Sequence, residues 1–157
     1  MKFLHTVSSA GIVGGIVAYA LILLYAPQGS AQDYADMRQT IAAVCQYMIM
    51  PALGISLVTG LLAMAVHRPF QELRWVWVKA LLGISMFEAT LAIIQAKGAD
   101  AARISAKIAA GEPLQGDLAA TISSEWTTLF AILAISIANY VLGVWRPPLA
   151  MRWARNV

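Results

Sequence analysis

Four apolar stretches constrain this chain more than any other feature of it. The first, Phe3 to Ala26, and the second, Ile41 to Val66, each exceed the roughly 20 residues a helix needs to cross a hydrocarbon core of about 30 Å. The third runs from Trp75 to Ala96 and the fourth from Trp126 to Trp145. Lipid offers the backbone no hydrogen bonds, so only helices or closed barrels can span it. Nothing in the stretches alternates with strand period, which argues against a barrel. The expected fold is an all-α, integral membrane four-helix bundle, a single transmembrane domain over residues 1–157. Composition agrees: 60% hydrophobic residues, 12% charged and a mean hydropathy of +0.70 lie far from a soluble domain. Lys2 before the first apolar run and the small residues Gly29-Ser30-Ala31 after it resemble a secretion signal, but the run is longer than a signal's apolar core. It is therefore expected to persist as helix one.

Basic residues set the expected orientation. Both termini and the second loop share one face, which carries Lys2, Arg68, Arg74, Arg146, Arg152 and Arg155 against the single acid Glu72. On the other face Arg38, Lys97, Arg103 and Lys107 are outnumbered by Asp33, Asp36, Asp100, Glu112, Asp117 and Glu125. The positive-inside rule then puts both termini in the cytoplasm of a bacterial inner membrane. The net charge of +3 is a topology signal, and no nucleic-acid partner is implied.

The first connection, Pro27 to Asp36, is rich in turn formers, and Arg68-Pro69 is expected to stop the second helix at a tight basic turn. Only the outer-face loop 97–125 is long. Within it, 99–110 places Ala101, Ile104 and Ile108 on one face, which fits a short amphipathic helix on the membrane surface or a solvated connector helix. Gly11 and Gly15 form a GxxxG on helix one, which suits close helix packing or clears room for a flat cofactor. Ser56 and Gly60 on helix two, and Ser136, Asn139 and Gly143 on helix four, extend the small-residue pattern. Pro51 inside the second helix predicts a kink between Tyr47 and Gly54.

Polar residues inside these stretches are costly, roughly 2.5–3.5 kcal/mol each on insertion scales, so each is a candidate functional residue. At about 1.5 Å per residue, His5, Met64, His67 and Lys79 fall at a similar depth near the basic face, in a belt with Trp75, Trp77 and Trp145. Imidazole and thioether groups can ligate haem iron, while Lys79 and Arg74 could pair with propionates. Each also has an ordinary reading: interfacial histidines, a snorkelling lysine, a packing methionine. Glu88 lies near the middle of helix three, half a turn out of phase with Lys79. It is expected to find Ser56, Thr59 or Ser136 on a neighbouring helix, or to stay protonated, in a proton relay or as a bundle-locking hydrogen bond.

Lys2-Phe3-Leu4-His5 with Gly14-Gly15, the segment Met50-Pro51-Ala52-Leu53 with Gly60-Leu61-Leu62, and Trp75-Val76-Trp77-Val78-Lys79-Ala80-Leu81 resemble small membrane-embedded haem-binding protoporphyrinogen oxidases and related copper-resistance membrane proteins. A neighbouring family of predicted membrane proteins without assigned function shares the pattern. The resemblance covers the first three helices. It implies haem b, with the axial histidine on His5 and the lysine of a Trp-x-x-x-Lys pattern on Lys79, then a catalytic candidate. Two positions depart from the pattern. Leu53 stands where those oxidases carry a second-helix methionine, and Trp77 where a histidine often precedes the lysine. Met50 or Met64 then replaces the missing ligand, or the iron is five-coordinate, or this branch has lost haem.

A lone Cys45 excludes an intrachain disulfide, and no CxxCH, Walker loop, dinucleotide fingerprint or HExxH is present. The leading expectation is a haem-binding redox protein that oxidises a membrane-associated porphyrinogen or passes electrons to a lipid-soluble acceptor. A non-catalytic subunit of a homo-oligomer or larger membrane complex, and copper or other metal handling, are the alternatives.

Overall fold

The structure is a computed structural model and describes residues 2–67 and 71–145. Arg68, Pro69, Arg146, Arg152 and Arg155, which carry part of the topology argument, lie outside the described residues. The described chain forms helices α1 (Lys2–Tyr25), α2 (Ala31–Val44), α3 (Met50–Val66), α4 (Arg74–Ala89), α5 (Ala96–Ala109), α6 (Gln115–Ile122) and α7 (Glu125–Trp145). A π-helical turn, Cys45–Ile49, joins α2 to α3, and a second, Thr90–Gln95, joins α4 to α5. The result is four apolar helical runs long enough to span a membrane: Lys2–Tyr25, Ala31–Val66, Arg74–Ala109 and Gln115–Trp145.

Three of these runs are longer than the apolar stretches that announce them: the fourth reaches back to Gln115 across a turn at Ser123 and Ser124, and the second and third are extended as continuous helix. The second begins at Ala31, ten positions before the expected Ile41, because Ser30 caps it. The Asp33 N–H donates to Ser30 Oγ at 3.1 Å and the Ser30 N–H donates to Asp33 Oδ2 at 3.2 Å, a reciprocal capping box. The third continues unbroken through the expected loop to Ala109 and stops where Gly111 takes a positive φ of 97°. Segment 99–110 is thus the last part of a long helix, packed side by side with α2 in the most extensive helix pairing among the described residues. Its Gly98, Ala101 and Ser105 are buried. At about 1.5 Å per residue each 36-residue run is about 54 Å long, well beyond a bilayer core. The surplus, with exposed Asp33, Asp36, Asp100, Arg103 and Lys107, projects past the apolar bundle.

Around the bundle, α1 neighbours α3 and α7, α4 neighbours the same two, and α1 and α4 face each other across the diagonal. Ile12, Ile16, Ile49, Leu53, Met86, Leu129 and Ile132 fill the centre. On the first helix the GxxxG serves packing. A Cβ on Gly11 would stand 3.4 Å from the Ala52 Cβ, and one on Gly15 only 2.6 Å from Ile49 Cγ1, so α3 and its preceding turn occupy the space a flat cofactor would need. The expected proline effect falls slightly early. Pro51 has no N–H to donate, and the chain adjusts in the turn before it, where the Met50 N–H reaches back five residues to the Cys45 carbonyl.

Candidate functional site

Two polar clusters punctuate the apolar core, one toward each end of the bundle. At the end bearing Lys2 and Arg74, the first turn of α1 delivers a half-buried His5 onto α3. His5 Nδ1 lies 2.9 Å from the Ser56 carbonyl and 3.1 Å from Thr59 Oγ1. A carbonyl only accepts, and the Thr59 hydroxyl itself donates to the Ile55 carbonyl at 2.6 Å, so the proton of the ring belongs on Nδ1. In the neutral ring Nε2 then keeps its lone pair, the arrangement found when a backbone carbonyl orients a metal-ligating histidine. Ser9 and Ser56 share a hydroxyl contact of 3.1 Å beside it. Gly60 makes the fit, since a Cβ there would approach His5 Cε1 to 3.3 Å.

Lys79 reaches this end from α4, across the diagonal from α1. Its Nζ occupies the place of a side chain at position 143: a Cβ on Gly143 would come within 2.5 Å of it. Asn139 and Gly143 share a face of α7, and Asn139 carries a buried Oδ1 without a hydrogen-bond partner among the described residues. The α7 stripe matches α4 level for level, Ser136 donating to Met86 Sδ at 3.2 Å, Asn139 meeting Gly83 and Gly143 meeting Lys79.

The other candidates divide. Met64 lies four residues beyond Gly60, about 6 Å farther toward this end, and packs in a small buried cluster with Trp75 and Val76. Trp75 is therefore a packing residue, whereas Trp77 is exposed and donates its indole N–H to the Gln71 carbonyl at 2.9 Å. Arg74 is exposed at the start of α4, and His67 is exposed at the end of α3. Met50 begins α3, six residues and about 9 Å from Ser56 in the opposite direction, so it is not brought to His5. Glu88 does not meet its expected neighbours. Ser56 and Thr59 are engaged around His5, Ser136 bonds Met86 and the Ile132 carbonyl, and Glu88 lies exposed on the outer face of α4.

The second cluster was not foreseen from the sequence, where Arg38 and Glu125 read as loop charges. Arg38 Nη1 lies 2.6 Å from Glu125 Oε1, with side-chain exposures of 4% and 12%. The Tyr19 hydroxyl donates to the same carboxylate oxygen, and Arg38 donates to the Tyr34 hydroxyl from Nε at 3.0 Å and Nη2 at 2.6 Å. These are buried charges whose hydrogen bonds run between α1, α2 and α7. The one sequence signal was Tyr19, a polar-tipped side chain deep in an apolar helix. Among the described residues no group of three or more His, Cys, Asp and Glu side chains is placed to hold a metal ion.

The bundle and its paired polar clusters define a multi-pass integral membrane protein with four candidate spans and lipid around it. Nothing matches the chain among curated proteins or solved structures. It belongs to DUF2269, a family of predicted integral membrane proteins, whose pattern matches residues 1–147.

Proposed function

We propose that this protein is a haem-binding redox protein of the bacterial inner membrane, with both termini cytoplasmic and His5 as an axial ligand of haem b. One observation carries the reading: the Nδ1 proton of His5 is committed to the Ser56 carbonyl, which leaves Nε2 as the basic nitrogen. The residues present fit the nitrogen side of such a group. Lys79 supplies a cation at the same end of the bundle, and Arg74 a second one on the same helix, both suited to propionates at a membrane edge. The sulfur side is narrower than the sequence allowed. Met64 is at the right end of the bundle but packed against Trp75, and Met50 is at the wrong level. His5 is then the residue of this chain that would hold the group. Bound haem would supply one-electron chemistry for a porphyrinogen or lipid-soluble donor.

The chain's own contribution is to hold one tautomer, bar any side chain at Gly60, and keep a cation at the same end of the bundle. The absorbance spectrum of protein purified from haem-sufficient cells tests this. A Soret band that His5→Ala abolishes or shifts is expected; protein without the band, or a band indifferent to His5→Ala, refutes it.

A further inference from the structure

We propose that the outer face of α4 is the contact surface for a second copy of this chain, with Glu88 at its centre. The inference stands on the placement of Glu88 and does not use the haem reading.

Leu81, Ile84, Ser85 and Glu88 of α4, with Leu91 and Ala92 of the π-helical turn that continues it, are all exposed and form one stripe turned away from the bundle. Glu88 lies nine residues from Lys79 and nine from Lys97, about 13.5 Å from each along the helix. It is thus at the middle of the hydrocarbon and far from either aqueous edge. Among the described residues, no hydrogen bond or ion pair joins it to any other. A carboxyl so placed is strongly disfavoured in lipid, charged or neutral, because nothing there returns its hydrogen bonds.

A second copy returns them with no other partner required. Two chains inserted in the same direction and related by a two-fold axis along the membrane normal bring residues of equal depth together. Glu88 then faces its counterpart, and the Ser85 hydroxyls lie one turn away on the same stripe. Carboxyl and hydroxyl groups both donate and accept, so this surface is complementary to itself. Its shape agrees. Ser85 and Ala92 flank Glu88 at three and four residues, and small residues around a polar one are what allow membrane helices to approach and bond.

Cysteine cross-linking of the full chain in native membranes tests the proposal, with Cys45 replaced by alanine. Single Ser85→Cys and Ala92→Cys variants are oxidised beside an Ala10→Cys control. Ala10 is exposed on α1, across the bundle diagonal and close to Glu88 in depth, since Gly11 packs on Ala52 and Gly83 on Leu57. The expected result is a disulfide-linked product of twice 16.9 kDa for the α4 variants and not for the control. Adding Glu88→Leu to Ser85→Cys should lower its yield roughly three- to tenfold, while Glu88→Gln keeps it. Helical circular dichroism of the Glu88→Leu protein separates loss of pairing from loss of fold. Equal yields from Ala10→Cys and Ser85→Cys, a product of any other mass, or a yield indifferent to Glu88→Leu in a folded protein would overturn the proposal.

Discussion

Gly15 leaves no space for even one carbon, because Ile49 Cγ1 already fills the place where a Cβ would stand, 2.6 Å away. That neighbouring atom is near the root of its side chain and cannot swing clear, so α1 or the Cys45–Ile49 turn has to move. Gly15→Ala is expected to destabilise the bundle by about 1–3 kcal/mol, the usual range for an overpacked core, read from reversible unfolding in mixed micelles. Gly143→Ala makes the contrast. Its Cβ meets the far end of Lys79, which can bend away, so stability should hold while the spectrum of any haem bound near His5 shifts. Arg38 belongs to a third class, a buried charge with a partner. Arg38→Met strands the Glu125 carboxylate and removes both donors to Tyr34, and an unpaired buried charge costs about 3–5 kcal/mol. Adding Glu125→Leu should return part of that loss, and a double mutant no more stable than Arg38→Met would remove the pairing argument. Of these residues only the glycines were legible as packing positions. Arg38 and Glu125 were invisible as a pair because they are 87 positions apart and each sits where a hydropathy reading ends a span.

At the scale of the helix, hydropathy located the four spans and missed how far three of them run. It registers only residues that face lipid, and the outer ends of the second and third runs face water on one side and each other on the other. Their starts and stops are written in caps instead: Ser30 with Asp33 at one end and Gly111 at the other. The Ser30 box was readable in the sequence, as a Ser followed three residues later by an acid, but it lay inside a segment that composition marks as turn. Ser30→Ala is expected to cost about 1 kcal/mol of local stability, seen as faster hydrogen exchange at the backbone amides of Ala31 to Tyr34. Exchange that is unchanged there would mean that α5, and not the cap, holds the start of α2. The amphipathic pattern of 99–110 was also real. It described a face buried on α2 rather than on a membrane, and one helix seen alone does not distinguish those partners.

For the whole molecule, the two polar clusters sit on opposite sides of an apolar centre formed by Ile12, Ile16, Ile49, Leu53 and Met86. His5 and Lys79 were readable as polar breaks in apolar helices at a shared depth. That their helices face each other across the bundle diagonal depends on the order of helices around it, which no single span encodes. The same architecture gives the proposed orientation a sharp test, because the α2–α5 projection is long enough to stand clear of the headgroups on one side. In the Cys45→Ala background, Asp100→Cys is exposed on that projection and Lys2→Cys lies at the other end of the bundle. If both termini are cytoplasmic, a membrane-impermeant maleimide added to intact cells stripped of their outer membrane should label Asp100→Cys and spare Lys2→Cys until the inner membrane is opened. The reverse pattern would place the His5 and Lys79 site on the outer face. A haem bound there would draw on a different pool of reductant, so this measurement decides which side of the membrane the candidate site serves.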